Sequence, residues 1–268
     1  MALQWLLAYL ALGSVVGFFA GLFGIGGGGI MVPVLTTLFA VQGMPPELIV
    51  HAALATSLAA IIATSISSLR AHHRLGAVNW VVVRSITPGI LLGSFAATFL
   101  AAWLSSLFLA IFFVLFMSYV ALQMLFDIKP RPGRTLPGAL GLSVAGLVIG
   151  AISSLVAIGG GTMTVPFLSW CNVRIQNAIG TSAAVGLPIA MAGTLGYFVS
   201  GLNASGMPPW SLGFVYAPAA VLISLMSVIS APLGARLVHR LPVASLKKLF
   251  AALLIVLAIK MLHTVQSS

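Results

Sequence analysis

Leu22-Phe-Gly-Ile-Gly-Gly-Gly-Gly-Ile-Met-Val-Pro-Val-Leu35 recurs, at a constant offset of 133, as Leu155-Val-Ala-Ile-Gly-Gly-Gly-Thr-Met-Thr-Val-Pro-Phe-Leu168. Ile25, Gly26, Gly27, Gly28, Val32, Pro33 and Leu35 meet Ile158, Gly159, Gly160, Gly161, Val165, Pro166 and Leu168. Outward from this pair, His51-Ala-Ala-Leu-Ala-Thr-Ser57 matches Gln176-Asn-Ala-Ile-Gly-Thr-Ser182, and Trp80 and Pro88 line up with Trp210 and Pro218. Self-similarity on this scale reads as a tandem duplication.

The surroundings of both copies are apolar. Of the 268 residues 60% are hydrophobic and 5% charged, and the mean hydropathy is +1.18, a composition that a soluble domain of this size does not carry. Stretches of roughly 20 apolar residues recur along the chain, each long enough to cross about 30 Å of hydrocarbon. The first, 3–23, lacks the basic start and the small-residue cleavage pattern of a signal peptide and is predicted to be a membrane helix. The net charge of +10 does not point to nucleic acid, because the Lys and Arg residues sit in short loops between apolar segments, where they set orientation. Cys171 is the single cysteine, so neither an internal disulfide nor a cysteine zinc site is expected.

Each half divides alike. A long helix (3–23; 136–157) leads through the Gly run to a short apolar helix (28–41; 161–172), and three longer helices follow (47–69, 77–104 and 106–127; 175–200, 208–236 and 243–264). The expected architecture is an all-α polytopic membrane protein of two repeats, 1–128 and 136–268, joined by a cytoplasmic linker at 129–135. Five elements per half is an odd number, so the second repeat is expected to be inverted. Placing the amino terminus outside puts Arg70, Arg74, Lys129, Arg131, Arg134, Arg174, Arg236, Arg240, Lys247 and Lys248 on the cytoplasmic side, ten of the twelve basic residues. Both termini are then outside the cytoplasm, in a multi-pass protein of the cell inner membrane. Whether the short helices span or re-enter stays open, since both choices preserve parity.

Consecutive glycines break a helix, each costing roughly 1 kcal/mol relative to Ala, and broken backbone at membrane depth is tolerated where it lines a cavity or is buried in protein. Close helix packing is one use of such residues. The other is a substrate site at the interface of inverted repeats. Short helices starting at both breaks aim free N–H groups and partial positive charge at the cavity, which suits an anion. Gly26, Gly27, Gly28, Gly29, Gly159, Gly160, Gly161 and Thr162 are the candidate backbone donors. Thr56, Ser57, Thr181 and Ser182, about ten residues into the third helix of each half, are expected at the same central level and offer hydroxyls. His51, Gln176 and Asn177, one turn earlier, are candidate gate or vestibule groups. Arg84, matched by Phe214 in the second half, either snorkels to the inner surface or draws an anion to a cytoplasmic mouth.

Glu47 and Asp127 are the only carboxylates and neither is expected at the midplane, which disfavours cation transport and proton relays through acids. Gly24-Ile-Gly26-Gly-Gly-Gly29 fits the dinucleotide pattern G-x-G-x-x-G only formally, because it lies between membrane helices and not after a strand. No cofactor and no metal site is implied. A serine hydrolase using Ser57 or Ser182 with His51 is disfavoured, since the serine is duplicated while Gln176 replaces the histidine.

The doubled Gly-Gly-Gly-x-x-x-Val-Pro, the Thr-Ser helix after it, and Gly234-Ala-Arg236 with Leu241-Pro242 before the last helix resemble the TauE/SafE family, also called toluene sulfonate uptake permeases. The similarity covers about residues 10–264. It implies transport of sulfite, sulfonates or related sulfur-containing anions, often as export. Thr162 in place of Gly29 makes the two half-sites unequal. The expected function is a secondary transporter of a small sulfur-containing anion working by alternating access, with the lipid bilayer and the anion as partners and a coupling ion that the sequence does not name. An anion channel, or a transporter of another small anion on the same scaffold, is the alternative.

Overall fold

The computed structural model describes residues 2–23, 27–126, 133–237 and 243–267. Within them lie ten helices and one short hairpin: α1 (Leu3–Phe23), α2 (Gly28–Val41), α3 (Pro46–Arg74), α4 (Trp80–Trp103), α5 (Ser106–Leu125), α6 (Ala139–Leu155), α7 (Gly161–Trp170), α8 (Ile175–Ser200), β1 (Ser211–Leu212), β2 (Val215–Tyr216), α9 (Ala217–Leu237) and α10 (Val243–Ser267). Six of the helices are long and apolar enough to cross a membrane. Lipid offers no partner to a backbone N–H, and a helix satisfies its own, so an apolar chain of this kind is an all-α polytopic membrane protein.

Helix starts and stops follow local chemistry. Asn79 caps α4 by accepting the Val82 N–H, and Ser105 caps α5 by accepting that of Phe108. Pro46 opens α3, where its missing N–H costs nothing. The expected helix over 208–236 begins instead at Ala217. Pro208 and Pro209 cannot continue a ladder, and Trp210 and Gly213 take positive φ, so the segment folds into the β1–β2 hairpin.

The central pair is α3 and α8, and it is antiparallel. A Cβ on Gly193 would meet Leu58 and one on Gly186 would meet Ser65, while Gly180 lies against Ala77, so rising numbers on α8 face falling numbers on α3. Around this pair, α1 runs parallel to α9 and α4 runs parallel to α6. Gly13, Gly17 and Gly21 of α1 press on the backbone at Ile223, Ser227 and Ala231, and Gly146 and Gly150 of α6 press on Ile86 and Ile90. Gly89 and Gly93 of α4 return the contact onto Ser143 and Leu147. Small residues four apart let the backbones approach, and the Ser143 hydroxyl donates to the Ser85 carbonyl at 2.7 Å across the seam.

These contacts correct one alignment. Gly13 on Ile223 mirrors Gly146 on Ile86, which pairs α4 with α9 at an offset of 137 and not at the 130 that Trp80/Trp210 and Pro88/Pro218 imply. The counterpart of Arg84 is therefore Val221, and Phe214 belongs to the hairpin.

Both α2 and α7 are shorter than a full membrane crossing. With 14 and 10 residues, α2 and α7 are about 21 Å and 15 Å long, short of the roughly 30 Å needed to cross. Gly27 lies beside Val16 of α1, and Gln42 at the far end of α2 donates to the Tyr9 hydroxyl at 2.6 Å, so α2 retraces α1 toward its start.

Candidate functional site

Gly27 and Gly160 precede α2 and α7 with φ of 79° and 77°, the left-handed region that glycine enters without strain. Neither helix start has a side-chain cap. Among the described residues the N–H groups of Gly28 and Gly29, and of Gly161 and Thr162, find no acceptor, while those of the next two residues bond back to Gly27 and Gly160. The two starts touch: a Cβ on Gly28 would run into the carbonyl oxygen of Ala157. Gly159 lies against Gly186 of α8, level with Ser65 of α3. Gly26 lies outside the described residues.

Hydroxyls crowd the second break. Ser153 and Ser154 end α6, and Thr162 and Thr164 lie in the first turn of α7; all four oxygens are buried without a hydrogen-bond partner. Thr164 Oγ1 is 3.6 Å from where a Cβ on Gly160 would sit. At the offset of 133 the first break has Ala20, Gly21, Gly29 and Met31 in these places, and Gly29 faces Met117 and Leu254 instead. The inequality expected from Thr162 thus extends to four positions. Sequence reading missed Ser153, Ser154 and Thr164; the signal available was their loss of symmetry across an otherwise matched segment.

The Thr-Ser pairs do not share one level. In the α3–α8 register Thr56 falls opposite residue 195, fourteen residues and so about 21 Å along the axis from Thr181. Each threonine instead holds the other half's fourth helix. Thr56 Oγ1 accepts the N–H of Tyr216 at 3.0 Å, just before α9, and Thr181 Oγ1 accepts that of Asn79 at 3.0 Å, the cap of α4. Ser182 donates to the Ile179 carbonyl at 2.9 Å, whereas the buried Ser57 hydroxyl has no partner.

The Sulfite exporter TauE/SafE family matches residues 9–261 of this helical, twice-broken chain. It belongs to the TauE/SafE family. Among its relatives is a protein of Haemophilus influenzae named "Probable membrane transporter protein", 39% identical over 96% of this chain and 98% of the relative. Another of that name, from Methanocaldococcus jannaschii, is 30% identical over 94% of each chain. No solved structure matches the chain. Membership makes it a membrane transporter with a small-molecule substrate, working in a lipid bilayer.

In this TauE/SafE chain the candidate gate residues part company. His51 is buried on α3, with Nδ1 3.0 Å from the Glu47 carbonyl oxygen and Nε2 2.9 Å from that of Ala101. Its ring stacks on Phe214 at 5.2 Å. Gln176 is exposed and Asn177 half-buried at the start of α8, so the second half has no buried counterpart. Arg84 is exposed in the second turn of α4 and does not line the breaks. At the Pro46 end of the bundle the hairpin forms a cover that sequence reading did not foresee: Tyr216 packs on Tyr9 and Phe39, and Phe214 on His51 and Tyr197.

Proposed function

We propose that the chain is a secondary transporter that exports a small sulfur-containing anion, sulfite or an organosulfonate, by alternating access around the two Gly-rich breaks. The observation that carries this reading is the meeting of two buried helix starts without side-chain caps, whose four leading N–H groups find no acceptor among the described residues. Such groups carry partial positive charge and select an anion. The unpartnered hydroxyls of Ser153, Ser154, Thr162 and Thr164 supply further donors on one side only, so an oxyanion binds by its oxygens at the second break while the first break offers Gly29, Met117 and Leu254.

The two halves, 1–128 and 136–268 with a linker at 129–135, act as inverted repeats. Three facts support this: corresponding helices α3 and α8 run antiparallel, α1 with α9 mirrors α6 with α4, and Thr56 with Tyr216 mirrors Thr181 with Asn79. The repeats meet at the breaks, where such transporters hold substrate. Arg70 and Arg74 at the end of α3 and Arg174 at the start of α8 share one end of the bundle. Arg134 stacks over Trp170 at the end of α7, on the loop that leads into α8. The positive-inside rule makes that end cytoplasmic and puts both termini across the inner membrane from it.

The test is binding of sulfite, sulfoacetate, sulfate and chloride to the purified full chain, wild type against Thr164→Val and Ser154→Ala, followed by flux into proteoliposomes. Saturable binding of a sulfur oxyanion, weakened in both variants, supports the reading. Oxyanion binding that both variants leave unchanged, or its absence from the wild type, removes it.

A further inference from the structure

His51 sits among acceptors. Its Nδ1 faces the Glu47 carbonyl at 3.0 Å and Ser106 Oγ at 3.5 Å, and its Nε2 faces the Ala101 carbonyl at 2.9 Å. The Ser106 hydroxyl proton is spent on the same Glu47 carbonyl, at 2.7 Å, so Ser106 presents only lone pairs to the ring. A neutral imidazole has one N–H and one lone pair, and among the described residues the nearest partners of both ring nitrogens are carbonyl oxygens. An imidazolium has two N–H groups, one for each side of this site.

The rest of the surroundings agrees. Ala101 and Leu104 end α4, where the helix carries partial negative charge that favours a cation. The Phe214 ring, stacked at 5.2 Å and 29°, offers its π face to the same charge. The titratable groups nearby are the exposed Glu47 carboxylate one turn earlier on α3, Tyr197 of α8 against the far side of Phe214, and Tyr216 in the hairpin. On α5 the facing group is Ser106, which does not titrate.

We propose that His51 is a proton-binding site and that the proton is the coupling ion of this transporter. Taken up from the Pro46 end, one proton completes the bridge from α3 through the imidazolium to the α4 terminus, with the α5 start and the hairpin closed over it. Its release leaves a ring that can hold only one of the two carbonyls; with the remaining hydrogen on Nδ1 the ring stays on Glu47 of its own helix, and the imidazole no longer ties α3 to the α4 terminus. The second half has exposed Gln176 at the equivalent place, which confines the proton to one site and one end of the molecule. The proton site stands on the His51 geometry alone; its assignment to coupling rests on the transport reading.

The experiment titrates ring-labelled [15N]histidine in the full chain in nanodiscs between about pH 5 and 8, the range in which histidine changes charge. The expected result is one histidine whose two ring N–H groups are both present and exchange slowly, absent in His51→Gln. If that variant does not fold, Phe214→Leu identifies the same signal by the loss of its ring-current shift. A single neutral tautomer at His51 across the range overturns the site. In proteoliposomes, a pH gradient is expected to change anion flux several-fold in the wild type and not in His51→Gln; an equal response in both overturns coupling. Absence of any anion flux in the wild type would strike the transport reading while the titration still decides the proton site.

Discussion

The carbonyl oxygen of Ala157 fills the space that a Cβ on Gly28 would need. Two chain breaks, 129 residues apart, therefore meet backbone to backbone, and this contact cannot widen without separating the halves. Gly28→Ala is expected to lower stability by the upper end of roughly 1–3 kcal/mol, the usual cost of overpacking against a group that cannot rotate away. Gly138→Ala, where a Cβ meets nothing within 4 Å, serves as the matched control. Thermal unfolding in detergent checks both; equal midpoints would mean that the breaks can part freely.

Thr56 and Thr181 are expected to act through structure before they act on any ligand. Removing either hydroxyl takes the acceptor from the buried N–H of Tyr216 or the half-buried one of Asn79, at a cost of up to about 1–3 kcal/mol, larger at Tyr216. Thr56→Val and Thr181→Val should both destabilise, and Thr56→Ser and Thr181→Ser should recover most of the loss. Hydrogen exchange at the Tyr216 and Asn79 amides reports the same bond directly, with faster exchange in the valine variants.

Much of this arrangement was legible in the residues. The doubled Gly-Gly-Gly and the prolines five places on marked both breaks, and the apolar runs located the long helices to within a few residues, apart from the end of α3 and the start of α9. The level of the Thr-Ser pairs was misread for a physical reason: α3 and α8 run antiparallel, so residues equally far from their starts lie at opposite heights. The α9 start was misread because Trp210 and Pro218 matched by type, whereas the contacts that repeat are glycines on backbone. His51 stood out as polar in an apolar helix, but its second carbonyl, Ala101, comes from 50 residues away and is invisible to local reading.

The glycine seams give a further expectation. Gly17→Leu on α1 would collide with Ser227 and Ser230 of α9, and Gly150→Leu on α6 with Ile90 and Ser94 of α4. Each variant should unseat a first helix from the other half's fourth helix. Cysteine pairs across the seam, cross-linked in the Gly17→Leu background, should react more slowly than in the parent; unchanged rates would show that α1 and α9 hold without close backbone contact.

Arg84 tests the opposite case. It is exposed and one seam away from the breaks, so Arg84→Gln should change stability by no more than about 0.5 kcal/mol and leave anion affinity where it was. A clear drop in affinity, measured by the same binding titration, would move Arg84 from the periphery to a mouth of the pathway.

Thr164 separates packing from binding most sharply, because the two roles predict opposite signs. Its hydroxyl is buried at the start of α7 with no partner, a state that costs the unliganded protein roughly 1–3 kcal/mol. Valine keeps the shape and removes that cost, so Thr164→Val should raise the unfolding midpoint in the absence of ligand. The same change removes one donor to a bound oxyanion, a charge-assisted bond worth about 1.5–3 kcal/mol, and affinity should fall roughly 10- to 150-fold. A residue retained for packing alone has no reason to trade stability for affinity. Gain of stability with unchanged anion affinity would therefore place the oxyanion elsewhere, and loss of stability would show that the hydroxyl is already satisfied in the free protein.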